Sequence, residues 1–195
     1  MITAKYGIPS ASPGAMFREE KAAGTELGVA ADKLTRHGKL VPDELVCRVV
    51  KAWLTTHDGE FIFDGFPRSL GQASALETML AERNTPIDVA LLLEADFDTI
   101  ARRVESRLVC SQCRTNLSMG LHIANAESPC PKCGGKLIRR GDDNLETLQL
   151  RMKEYAEKTE PLVSHYRELG LLRAVDSTRT PDLVFASVAA ILEGQ

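Results

Sequence analysis

Several features are missing from the 195-residue sequence, and each absence removes a class of protein. No apolar run approaches the roughly 20 residues of a membrane-spanning helix, and Met1-Ile2-Thr3-Ala4-Lys5 does not read as the opening of a signal peptide. A formal net charge of −3 gives no reason to expect binding to nucleic acid or to an anionic membrane. Internal repeats and low-complexity segments are lacking. So is a Walker phosphate loop. The Gly-Lys pairs, Gly38-Lys39 and Gly135-Lys136, are each followed by Leu and have no Gly five positions earlier. What remains is a soluble, cytoplasmic protein of ordinary globular composition, 44% hydrophobic and 26% charged, sized for one domain with an insertion.

Hydrophobic spacing supplies the elements. Asp43 can cap a helix carrying Leu45, Val46, Val49, Val50, Trp53 and Leu54 on one side, and a second helix is expected from about Ser69 to Arg83. Glu60–Asp64 reads as a short buried strand closed by Gly65. Val89–Glu94 is apolar on both faces, as in a helix-covered parallel sheet. Helices are expected over Phe97–Leu108 and Asp143–Lys158, a strand over Leu171–Asp176, and a closing helix over Pro181–Leu192 with Pro181 in its first turn. The alternation predicts an α/β layer architecture with a parallel sheet flanked by helices. Residues 109–137 interrupt it and read as a small inserted lobe. Cys47, alone in an apolar run, reads as a small core residue.

Cys110-Ser111-Gln112-Cys113 and Cys130-Pro131-Lys132-Cys133 stand sixteen residues apart. Each Cys-x-x-Cys turn points two thiolates at one ion, and two turns complete a tetrahedral site with no open position for water. Disulfides or free thiols are the competing readings. A reducing compartment favours a structural Zn²⁺, or iron in its place. The site would substitute for a core in a lobe with almost nothing apolar to bury.

Asp64-Gly65-Phe66-Pro67-Arg68 ends a strand, where a carboxylate can hold a Mg²⁺-bound water. Arg103 and Arg107, four apart on the expected helix, would reach the same side. Arg139-Arg140 and Arg151 flank Asp142-Asp143. Any one of these arginines alone reads as a solvated surface residue. Together with Tyr6-Gly7-Ile8-Pro9, Ser12-Pro13-Gly14-Ala15-Met16-Phe17-Arg18, Gly38-Lys39-Leu40-Val41-Pro42-Asp43-Glu44, Arg140-Gly141-Asp142-Asp143 and Tyr155, they resemble adenylate kinases in order and spacing from about Ala4 to the C-terminus. The four cysteines resemble the zinc-bearing lid of many bacterial members.

The resemblance implies a P-loop-kinase-like fold and reversible, Mg²⁺-assisted phosphoryl transfer, ATP + AMP ⇌ 2 ADP, by a monomer. Arg18, Arg68, Arg140 and Arg151 would hold the AMP phosphate and the transferring group. Lys39, Leu40, Val41, Gly65, Phe66, Pro67 and Gln72 would line the AMP pocket. Arg107 would neutralise ATP phosphates, Arg103 would lie against the ATP adenine, and Arg179 would sit under that ring. Such chemistry needs electrostatic positioning of charge spread over three phosphoryl oxygens, which arginine's planar fork serves better than lysine. The implied division is core at 1–11 and 42–107, AMP-binding lobe at 12–41, zinc-bearing lid at 108–140, and core at 141–195. A UMP or CMP kinase, or a catalytically silent zinc-stabilised nucleotide binder, are the alternatives.

Two departures stand against the family pattern. Pro13 and Ala15 replace a Thr and an Asp common there, removing a hydroxyl near the base and a carboxylate near the metal's water shell. The family's opening strand, Gly-rich loop and first helix have no counterpart before Met1, and that strand is expected to be central, between Phe61–Phe63 and Val89–Leu93. Losing its apolar side chains would cost on the order of 10 kcal/mol, comparable with a domain's whole stability of about 5–15 kcal/mol. The expectation is a poorly stable chain without phosphoryl transfer, read from a longer frame. The metal site makes its own prediction. Protein purified under reducing conditions should carry one Zn²⁺ per chain, lost on changing Cys130 and Cys133 to Ser. A metal content near zero, or one indifferent to those changes, contradicts the four-thiolate site.

Overall fold

A computed structural model of the chain describes residues 1–35, 41–141 and 143–194. Two compact units divide it, Met1–Glu94 with Lys153–Gln195, and Ala95–Met152. The second extends beyond the 108–140 stretch because it takes in helical residues on either side. No helix among the described residues is long and apolar enough to cross a membrane.

In the first unit, α1 (Ile2–Tyr6) and β1 (Ser10–Ala11) precede two helices, α2 (Pro13–Ala22) and α3 (Glu26–Thr35). Ser12 fixes the start of α2 by accepting the Ala15 N–H at 3.3 Å, and Pro13 follows at the first position, where no N–H is needed. The helices α2 and α3 meet at Gly28, where a Cβ would lie 2.1 Å from the Lys21 backbone nitrogen. α4 (Asp43–Thr55) buries Val46, Val49, Val50 and Leu54, a stripe of helical period. After β2 (Ile62–Phe63), Ser69 caps α5 (Leu70–Ala81) by accepting the Gln72 N–H at 3.1 Å. One core joins Met16 and Phe17 of α2 to the α4 stripe, Phe66, Leu76 and Leu80. Trp53 meets Phe61 and Phe63 at centroid distances of 5.7 Å.

β1 and β2 pair in parallel, with Ser10 opposite Ile62 and Ala11 opposite Phe63. β3 (Ala90–Glu94) pairs in parallel with a later strand, Leu172–Asp176, in register from Ala90–Leu172 to Glu94–Asp176. Among the described residues no ladder joins these two pairs, so the parallel sheet is present as two pieces. α8 (Glu160–Glu168) packs Leu162 and Tyr166 with Ala73 of α5. In the closing helix α9 (Pro181–Glu193), Glu193 accepts from Lys5 Nζ at 2.6 Å and Tyr6 Oη at 2.7 Å.

The second unit begins with α6 (Phe97–Ser106), capped by Asp96, whose carboxylate accepts the Thr99 N–H at 2.6 Å. β4 (Arg107–Cys110) is the middle strand of an antiparallel sheet between β5 (Asn116–Ser118) and β6 (Leu137–Ile138). Leu108, Leu117, Ile123 and Leu137 form a buried cluster with Cys110 and Cys130, so the lobe has a small apolar core of its own. α7 (Leu145–Glu154) starts in this unit, and the strand Leu172–Asp176 of the first unit is β7.

Three sequence expectations change, and one strand was not anticipated. The helix expected to reach Leu108 ends at Ser106, and Arg107 is extended (φ −75°, ψ 134°), because β4 is captured by pairing on both edges. Arg103 and Arg107 therefore do not share a helix face. The helix expected over 143–158 gives way at Glu154 to a π-helical turn, Tyr155–Thr159, in which the Glu160 N–H reaches the Tyr155 carbonyl. Pro161 then sits in the first turn of α8; inside a continuous α-helix its ring would strike the Glu157 carbonyl. Asp43 is not the cap of α4 but its first helical residue, after Pro42. Ser10–Ala11, too short for a periodic signal, forms β1.

The core predicts a contrast in stability. Leu54 is 2% exposed and Leu183 45% exposed. Leu54→Ala should cost about 2–5 kcal/mol through lost transfer energy and a cavity, and Leu183→Ala no more than about 0.5 kcal/mol. Denaturant midpoints measure both, and similar losses at the two positions would contradict the packing described.

Candidate functional site

In the first unit Asp64 to Arg68 and Gln72 lie between the end of β2 and the start of α5. The Asp64 N–H donates to the Ala11 carbonyl at 2.8 Å, which leaves the Asp64 side chain exposed just past the strand. Gly65 turns the chain at φ +70°, and a Cβ there would lie 2.6 Å from Arg68 Nη2. The positive φ favours glycine, and a Cβ there would push the Arg68 guanidinium aside. The Phe66–Pro67 peptide is cis. Phe66 is buried against Phe63 at a ring distance of 5.4 Å, and it anchors the loop to the core. Arg68 then folds back, its Nε donating to the Gly65 carbonyl at 2.8 Å.

Gln72, one turn into α5, is 5% exposed. Its Oε1 accepts the Arg68 backbone N–H at 2.8 Å, and its Nε2 donates to Asp43 Oδ1 at 2.7 Å. Asp43 Oδ2 accepts from Ser69 Oγ at 2.5 Å. A donor on one side and an acceptor on the other fix which way the amide points. The Arg68 carbonyl accepts from Thr159 Oγ1 at 2.9 Å. Asp43, Ser69 and Thr159 were not singled out as site residues from the sequence. Partners 26, 29 and 91 positions away carry no periodic signal.

Arg18 is exposed on α2, and Val41 is buried in the core at the entry to α4. Lys39 and Leu40 lie outside the described residues, as does Asp142. Arg179 follows β7. Asp176 there is held below the usual carboxylate range by hydrogen bonds from the Thr178 hydroxyl and N–H, then by the Arg179 charge.

The second unit holds four more of the predicted arginines. Arg107, first residue of β4, grips Asp143 with both Nε and Nη2, the Nε contact at 2.9 Å. The Asp143 side chain is fully buried and that of Arg107 is 30% exposed. Arg140 Nη2 donates to Asn116 Oδ1 at 2.5 Å. Arg103 lies on α6 and Arg151, exposed, on α7. Asp143 lay within a quoted motif, but its pairing with Arg107 depends on β4 bringing together residues 36 apart.

The four cysteines converge. Their sulfurs all lie within 4.8 Å of one another, with Cys110–Cys133 at 3.5 Å and Cys113–Cys130 at 3.6 Å. Four sulfurs at tetrahedral Zn–S bonds of about 2.3 Å would stand about 3.8 Å apart, and none of the five cysteines is in a disulfide. The group can hold a zinc ion, and Cys47 lies outside it. β4 ends on Cys110, and the Cys130 N–H donates to the Gly135 carbonyl at 2.9 Å, which folds the second Cys-x-x-Cys turn back on itself. A Cβ at Gly135 would lie 2.9 Å from Cys110 Sγ, so the backbone passes close to the sulfurs. A separate cavity of about 400 Å³, lined by Glu20, Leu27, Arg48, Val49, Lys51, Ala52 and Thr55, includes none of the predicted site residues.

Hydrogen bonds spread the acidities of the thiols. Bonds to the Thr115 hydroxyl and N–H bring Cys113 down to about 6. The Gly135 N–H lowers Cys133, but Cys113 and Cys110 outweigh it and push Cys133 up to about 11. Zinc takes only thiolate, so binding near neutral pH must expel the Cys133 proton. The bound state holds fewer protons, and affinity should strengthen as pH rises from 6 towards 9. Competition against a chelator across that range measures it, and a flat or inverted profile contradicts the arrangement.

Comparison with known proteins places these features in one family. The adenylate kinase family model matches residues 1–171. An adenylate kinase of Thermodesulfovibrio yellowstonii is 42% identical over 194 residues, covering 98% of this chain and 90% of the relative. The Archaeoglobus fulgidus enzyme is 41% identical, covering 98% and 89%. One from a Geobacillus species is 37% identical, covering 99% and 90%.

Proposed function

The chain belongs to the adenylate kinase family, nucleoside monophosphate kinases that interconvert ATP + AMP and 2 ADP, and we propose that the loop at the end of β2 is its AMP-phosphate site. One observation carries this reading: Arg68 is bound through its guanidinium to Gly65, beside a buried Gln72 whose amide orientation is fixed. A guanidinium held in advance meets phosphate with little entropy left to lose.

Arg68 and Arg18 bind the AMP phosphate, and Gly65, Phe66, Pro67 and Val41, with Lys39 and Leu40, shape the pocket around it. Gln72 has one N–H and one lone pair left beyond its two bonds, and it uses them on the adenine edge. Arg140 and Arg151 bind the transferring phosphoryl group, while Arg107, Arg103 and Arg179 serve ATP. Asp64 holds a water of the Mg²⁺ shell. The four cysteines hold a structural Zn²⁺, whose chemistry is to stiffen a small lobe.

A catalytically silent nucleotide binder is the alternative to the kinase reading. Titration with AMP, CMP and UMP tests the acceptor site. AMP should bind best, because a site built to bond one base edge leaves polar groups unpaired against another, and Arg68→Ala should weaken AMP by at least tenfold, the worth of about 1.5–3 kcal/mol for a charged hydrogen bond. Equal affinity for the three nucleotides rules out base reading by Gln72. A coupled assay with ATP, AMP and Mg²⁺ separates kinase from silent binder, and ADP formation overturns the latter.

A further inference from the structure

Arg68 is held at three points, and the third lies far along the chain. Its N–H is taken by Gln72 and its Nε by the Gly65 carbonyl, both within four residues. Its carbonyl is taken by Thr159 Oγ1 at 2.9 Å, 91 residues away. Thr159 closes the π-helical turn Tyr155–Thr159, which begins three residues past Met152, where the two compact units divide.

The turn explains why this hydroxyl is available. A Thr within a helix commonly bonds the carbonyl four residues back. Here that carbonyl, of Tyr155, accepts the Glu160 N–H across the wider ring, and the Thr159 hydroxyl donates to Arg68 instead. π-turns are rare and occur often at functional positions. Thr159 is half-buried and the bond itself lies at the exposed surface, where it tethers a loop to a helical turn.

We propose that Thr159 is a positioning residue for phosphate recognition, holding the Arg68 peptide so that its guanidinium faces the AMP phosphate. This rests on the reading of Arg68 as the phosphate ligand. It acts on the phosphate alone, because the base is read by Gln72 from α5.

The test compares AMP with adenosine, which lacks the phosphate, by equilibrium titration on the full chain. Thr159→Val removes the hydroxyl at nearly constant shape and should weaken AMP about three- to tenfold, with adenosine affinity unchanged. Thr159→Ser keeps the hydroxyl and should bind AMP as the parent does. Unchanged AMP affinity in Thr159→Val overturns the proposal, as does parallel loss of AMP and adenosine, or failure of Thr159→Ser to restore binding. Arg68→Ala separates the two levels. If it too leaves AMP binding intact, the phosphate-site reading falls and takes this inference with it. Loss in Arg68→Ala alone, with Thr159→Val unaffected, overturns only the role of Thr159.

Discussion

The carboxylate of Asp43 ties together the parts of the first unit on which its site depends. It sits in the first turn of α4, where the helix dipole favours a negative charge, and accepts from Ser69 Oγ and Gln72 Nε2 at the start of α5. The apolar stripe of α4 brings the helix against α5, and Asp43 sets the register of that contact through directional bonds. The loop ahead of α5 inherits its placement from this register. Gln72, held by Asp43, holds the Arg68 N–H, and Ser69 both donates to Asp43 and caps α5. A carboxylate accepting from two uncharged donors is satisfied without a cation, so Asp43 does not need Arg68 as a partner.

The same economy appears in the second unit. Arg107 grips the buried carboxylate of Asp143, and Arg140 rests on Asn116. Each arginine is thereby held by a partner within the same unit. Asp143 would be costly to leave buried without its cation, which gives the strand-to-helix connection a single favourable arrangement. The four sulfurs and the small cluster of Leu108, Leu117, Ile123 and Leu137 then share the stabilisation of the lobe. A metal held by the sulfurs would supplement a core that is short but real.

Much of this was legible in the sequence. The α4 stripe follows from helical periodicity, the paired Cys-x-x-Cys turns from their spacing, and the Asp64–Arg68 loop from its place after an apolar strand. Less legible were the ends of elements. Arg107 reads as helix by spacing from Arg103, yet two neighbouring strands capture its backbone, a competition that local pattern does not contain. The helix across 143–158 reads as continuous, and the π-turn appears only because Pro161 must be accommodated within a longer helical run. The lobe's apolar residues, scattered singly between turns, gave no hint that they meet.

Residue chemistry and short-range spacing belong to the sequence. Two cysteines three apart share a turn whatever surrounds them, a glycine permits a positive φ that others resist, and a stripe at helical period finds a core. Those local constraints determined the zinc-competent motif, the glycine turn ahead of Arg68 and the α/β alternation. Tertiary structure decided which distant polar groups satisfy one another. Asp43 selected Gln72 and Ser69, Asp143 selected Arg107, and Thr159 selected the carbonyl of Arg68. Hydrogen bonds between residues 26 to 91 positions apart follow no periodicity and become specific only once packing has excluded water and fixed directions.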